Sequence, residues 1–181
     1  IVASDASAAM YGQFEFAERI ERDGAKAFET SESKSEPYLS VRAINPFLTL
    51  PWDSDKNEPV YDPAALTDPN RWWFHNEDYW TTLLDLMARS RLNWLDIHGA
   101  WDISVTNAPN LYAYFVTSKS FPKVGVSEEI KAKNLKQLNH VIEMAHARGI
   151  RVSLMAYEAN LRIPQNPNPG YEASETNIYT Y

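Results

Sequence analysis

The chain contains no cysteine, so disulfides and thiolate metal sites are excluded; the compartment stays open. It lacks a run of apolar residues long enough to span a bilayer as a helix. It lacks a basic face as well: 17 Lys and Arg stand against 24 Asp and Glu, a net charge of −7. A nucleic acid is thereby disfavoured as a partner. No HExxH or clustered His spacing is present, and no Gly-rich phosphate turn follows any predicted strand. The first residue is Ile rather than Met, with no charged-then-apolar leader after it, and the last residues, Glu175 to Tyr181, read like the start of an element. A processed form or an excised segment is the expectation.

What is abundant is aromatic: six Trp and ten Tyr in 181 residues. Most such rings pack cores. Some of these fall where strands end, beside carboxylates, and that combination suits a carbohydrate site.

The hydrophobic pattern alternates between helix and strand. Residues 1–5 are compatible with a strand end. Met10, Phe14, Ala17 and Ile20 recur at helical spacing, so Ser7 to Asp23 is predicted helical, capped by Ser7 and stopped by Gly24. Glu29 to Glu36 is polar throughout and reads as a linker, with a domain boundary near residue 36. A first strand is predicted over Ser40 to Ile44, broken by Pro46 and Pro51. The connection from 51 to 77 contains Pro51, Pro59, Pro63 and Pro69, but also Trp52, Trp72, Trp73 and Phe74, which argue for a structured loop. Trp80, Leu83, Leu84 and Met87 form the stripe of a helix over Glu77 to Arg91, capped by Asn76. Asn93 to His98 is a second strand. Ser127 caps a longer helix to Arg148, with Leu135, Leu138, Val141, Ile142 and Ala145 on its buried side and Gly149 as its stop. Ile150 to Ala156 is a third strand.

Strand, helix, strand, helix, strand implies a parallel α/β sheet. The loops after strands are long and aromatic, and those before strands are short. That asymmetry belongs to the (β/α)8 barrel, whose functional face lies at the strand C-termini. Because such a barrel needs about 250 residues, the expectation is a partial barrel: residues 1–36 ending a preceding α/β domain, residues 37–181 opening the barrel.

The candidate site follows from strand alternation. Leu95 and Ile97 share one face of the second strand, and Trp94, Asp96 and His98 share the other. Asp96 and His98 would point into the barrel; the alternative is an Asp bound to loop backbone with His98 as its structural partner. Trp101 and Asp102 follow the strand, suited to stack on a sugar ring and accept from its hydroxyls, or else to pack a loop and make a turn. Tyr157 and Glu158 end the third strand, Glu158 suited to binding rather than catalysis. Arg42 could clamp a carboxylate or adjacent hydroxyls, or pair internally with Asp96; Asn45 is similarly placed. These eight are the expected substrate-binding residues. His75, His140 and His146 carry no ligand pattern. Asp96, His98 and Glu158 could together hold a divalent cation, but no metal or other cofactor is expected.

Tyr11-Gly12-Gln13-Phe14-Glu15-Phe16-Ala17-Glu18-Arg19-Ile20 resembles the last helix of the small α/β domain that precedes the barrel in β-hexosaminidases and α-glucuronidases. Arg42 resembles the arginine that opens their first barrel strand and contacts the sugar. Asp85-Leu86-Met87-Ala88-Arg89 through Leu92-Asn93-Trp94-Leu95-Asp96-Ile97-His98 resembles their next helix and strand, and Ile142 to Met155 the pair after that. Two departures exist. Gly99-Ala100-Trp101-Asp102 stands where hexosaminidases continue with Thr-Asp-Asp, and Met155-Ala156-Tyr157-Glu158 where they have Pro-Glu-Ile-Asp. The resemblance therefore implies the glycoside hydrolase superfamily rather than hexosaminidase activity. It implies acid/base carboxylates on later strands, beyond residue 181, an oligo- or polysaccharide substrate, and a secreted or periplasmic location. It implies as well that the remainder of its own barrel packs against this segment. A metal-dependent sugar isomerase or lyase barrel and a non-catalytic carbohydrate-binding module are the competing readings.

Overall fold

The computed structural model describes residues 1–29, 34–49, 52–53, 55, 58–59, 64–98, 115–117 and 126–155. The fold is α/β. Helix α1 spans Ala6–Asp23, α2 Glu77–Arg89 and α3 Glu128–His146. Strand β1 is Ala43–Ile44, β2 Trp52–Asp53, β3 Glu58–Pro59, β4 Trp94–His98 and β5 Arg151–Met155. The strands β1, β4 and β5 form a parallel sheet in that order, while β2 and β3 make a separate antiparallel pair.

The helix ends are set by local chemistry. Asn76 caps α2 by accepting from the Tyr79 N–H at 2.8 Å, and Glu77 and Asp78 occupy its positive first turn. Ser127 caps α3 through the Ile130 N–H. The α1 cap differs from expectation. Asp5, not Ser7, accepts from the Ala8 N–H at 2.8 Å, so the helix begins earlier and residues 1–5 contribute no strand. Gly24, at φ 58, ends it as expected.

The strands are shorter than their apolar runs. β1 begins at Ala43 rather than Ser40, because the Arg42 N–H is taken by the Asn93 side chain at 2.8 Å instead of by a ladder partner. β4 begins at Trp94 and β5 at Arg151, with Asn93 and Ile150 left to the turns. The 51–77 connection also holds more regular structure than expected: the β2–β3 pair and 3-10 turns at Ala65–Thr67 and Trp73–His75. The boundary expected near residue 36 follows residues 30–33, which lie outside the described set.

One face of the parallel sheet is the core. Leu95 and Ile97 are fully buried against Trp80, Leu84, Met87 and Ala88 of α2 and Leu138, Val141 and Ala145 of α3. Each such side chain contributes roughly 1.5–3 kcal/mol through burial. Trp72 and Phe74 complete this layer, as the aromatic content of their loop requires. Their polar edges are satisfied locally: Trp72 Nε1 donates to the Thr49 carbonyl at 2.6 Å, and Trp80 Nε1 to the Phe74 carbonyl at 2.8 Å.

Helix α1 closes the N-terminal end of the sheet. Met10 and Phe14 pack against the core. Arg91, in the turn before β4, pairs with Glu18 at 2.9 Å and Glu15 at 3.0 Å. Gly149, in the turn before β5, approaches Ser7 so closely that a Cβ there would lie 2.5 Å from the Ser7 hydroxyl. Of the candidate site residues, Asn45, Asp96 and His98 lie toward the other end of the sheet, where the strands finish.

Candidate functional site

The register places three rows of side chains on the face opposite the core. Ala43, Trp94 and Arg151 form the first, Asn45, Asp96 and Ser153 the second, and Phe47, His98 and Met155 the third, nearest the strand C-termini. The expected separation of Leu95 and Ile97 from Trp94, Asp96 and His98 holds: Leu95 and Ile97 are in the core and the others face away from it.

The second row is a directed hydrogen-bond network. Trp94 Nε1 can only donate, and it does so to Ser153 Oγ at 2.7 Å. The Ser153 hydroxyl therefore turns its own proton to Asp96 Oδ1. Asn45 Nδ2 donates to Asp96 Oδ2 at 3.0 Å. Both carboxylate oxygens thus accept, and the orientation of Asp96 is fixed from two sides. This network joins β4, β5 and the residue that follows β1, so the sheet must form before it exists.

His98, one row above, is buried. Burial holds its imidazole below the ordinary pKa, while the charge of Asp96 pulls in the opposite direction. The ring packs edge-on to Phe47 with centroids 4.3 Å apart. In the first row, the Arg151 guanidinium lies over the Trp94 ring, 5.8 Å from its centroid.

Arg42 is not brought to this network. Its Nε donates to the Arg91 carbonyl at 2.6 Å and its Nη1 to the Leu39 carbonyl at 2.5 Å, while its guanidinium sits 5.8 Å from the centroid of the Tyr11 ring. Those partners precede the strands, so the side chain points to the end closed by α1, away from Asp96. The internal salt bridge with Asp96 weighed for it is replaced by these backbone contacts. Asn45, Asp96 and His98 do come together. Trp101, Asp102, Tyr157 and Glu158 lie outside the described residues.

Two members of the face escaped sequence reasoning. Ser153 is a lone hydroxyl in an apolar strand, on the same alternation as Met155; that was its signal, but only the register reveals Asp96 as its neighbour. Phe47 follows Pro46, outside any predicted strand, and reaches the face through an isolated bridge to His98.

No cluster of three metal-ligating side chains occurs among the described residues, where Asp96 and His98 make two and Glu158 is not described. A charged depression along α1 and the turn after it is lined by Glu15, Arg19, Arg22, Asp23 and Lys26, of which Arg19 pairs with Glu15 and Arg22 with Asp23. No described helix is long and apolar enough to cross a membrane.

Neither a protein-family model nor a curated protein matches this sequence. Among solved structures, the chain is similar to a GH138 enzyme targeting pectin rhamnogalacturonan II, with a TM-score of 0.57 and 22% identity. The match covers 81% of this chain and 16% of that enzyme. At such identity the likeness is one of fold.

Proposed function

We propose that this chain forms part of the sugar site of a glycoside hydrolase, as the opening strands of a β/α barrel whose remaining strands lie outside it. The observation that carries the reading is Asp96 at the middle of β4, one row below the strand end, held on both oxygens by Asn45 and Ser153. Strand C-termini are where barrel enzymes place their chemistry. The fold likeness to a GH138 enzyme supports the same class.

In this proposal Asp96 is a hydroxyl acceptor that orients the sugar. Its role is that of an acceptor, since Asn45 and Ser153 both donate hydrogen bonds to it. Asn45 and His98 flank it, and Trp101, Asp102, Tyr157 and Glu158 are proposed to complete the binding surface. Arg42, held at the other end of the sheet, is left out of it. The carboxylate pair of a glycosidase, set about 5–5.5 Å apart in retaining enzymes, would come from later strands. The closer relation to β-hexosaminidases and α-glucuronidases, and export from the cytoplasm, belong to the same proposal.

The test is hydrolysis of aryl glycosides by the full-length protein, across N-acetylhexosaminides, glucuronides, galacturonides and neutral hexosides, with and without EDTA. Turnover of one sugar class, indifferent to EDTA, is expected. Asp96→Ala should then lower kcat/KM by roughly 10–100-fold, the worth of a hydrogen bond to a charged group. Silence on every substrate, or activity abolished by EDTA, overturns the reading.

A further inference from the structure

Phe47 is the member of the strand-end face whose side chain is least accounted for by packing. It is 44% exposed, while the next residue, Leu48, is 1% exposed and belongs to the core. Yet Phe47 is not loosely held. Its backbone pairs with His98 in a parallel bridge. The Leu48 N–H donates to the His98 carbonyl at 2.8 Å, and the His98 N–H to the Pro46 carbonyl at 3.0 Å. The ring is also braced against the His98 imidazole, at an interplanar angle of 64°. The chain therefore fixes a large apolar ring at the rim of a polar face.

Such a ring, already ordered, costs a ligand little to engage. Its π face carries partial negative charge and suits weakly positive C–H groups. One row away lie groups that suit hydroxyls. Asp96 retains acceptor capacity on both oxygens after taking one hydrogen bond on each. Asn45 is exposed beside it. An apolar patch on a protein partner would use the ring but leave the carboxylate facing it unmatched. A pyranose uses both, because it presents C–H groups on a face and hydroxyls at its edge.

We propose that Phe47 is a stacking platform for a sugar ring whose hydroxyls reach Asp96 and Asn45. This rests on the glycoside reading above and adds a specificity-determining residue to it.

The experiment compares saccharide binding by the full-length protein with Phe47→Trp, Phe47→Leu and Phe47→Ala variants. Calorimetry would use methyl pyranosides of neutral, N-acetylated and uronic sugars, together with pectin oligosaccharides. Phe47→Trp should bind within a few-fold of the parent. Phe47→Leu, which keeps an apolar side chain but no π face, should weaken binding by up to about tenfold, and Phe47→Ala by at least as much. Thermal melts run beside the binding measurements separate lost binding from lost folding. Binding by Phe47→Leu equal to the parent's overturns the platform and leaves the glycoside reading standing. A parent protein that neither binds nor cleaves any saccharide overturns both.

Discussion

The charge of Asp96 acts on His98, and the effect has a sign. Burial lowers the His98 pKa and the Asp96 carboxylate partly restores it. Removing the charge while keeping the shape, in Asp96→Asn, should lower the His98 pKa further. An NMR titration of the His98 ring protons measures this directly, and an unchanged or raised value would refute the assignment. That the two residues share a face was legible in the alternation of β4, because a strand turns successive side chains to opposite sides. The neighbours that fix Asp96 were not legible. Asn45 and Ser153 meet it across 51 and 57 residues of sequence. Nothing local encodes that register. Arg42 illustrates the same gap in reverse. A cation in an apolar run looks like a ligand clamp, but the carbonyls of Leu39 and Arg91 lie within its reach and satisfy it at the other end of the sheet.

At the scale of elements, helices were the most legible. Both Asn76 and Ser127 cap as their residue types predict, and the stripes through Trp80, Leu84 and Met87 and through Leu138, Val141 and Ala145 are buried, whereas Leu135, expected on the buried side of α3, is exposed. The ends were less so. α2 stops at Arg89, ahead of the expected Arg91, because Arg91 turns into the left-handed region at φ 61 to enter β4. The end of α3 yields a sharper prediction. Gly149 has φ +69, and its missing Cβ leaves room for the Ser7 hydroxyl. Gly149→Ala should destabilise the protein by about 1–3 kcal/mol, combining left-handed strain with the steric conflict. Adding Ser7→Ala should recover only the steric part, since the left-handed backbone remains. Urea unfolding of the single and double variants separates the two contributions. Full recovery in the double variant would refute the backbone part.

The whole molecule should lose stability in mild acid through a histidine remote from the candidate site. Burial holds the His75 pKa below its ordinary value, and its hydrogen bond to Asn134, 2.8 Å long, offsets this only in part. The folded state therefore resists the proton that the unfolded chain accepts. Stability is complete above the unfolded value of about 6.5 and is lost as pH falls through the lower folded value. Urea midpoints at about pH 7.5 and 5.5 should differ less in His75→Gln than in the parent. An equal difference would refute the role of His75. The parallel sheet carries a kinetic consequence as well. Each rung joins residues on either side of an intervening crossover, 51 residues apart between Asn45 and Asp96 and 57 between Asp96 and Ser153. Contacts so distant in sequence form slowly, since loop closure must precede any gain from pairing. During synthesis β4 emerges before α3 and β5, so the apolar side of Leu95 and Ile97 waits for half of its cover. In that interval the growing chain is most exposed to misassociation, and α2 is the element already made that can shield it.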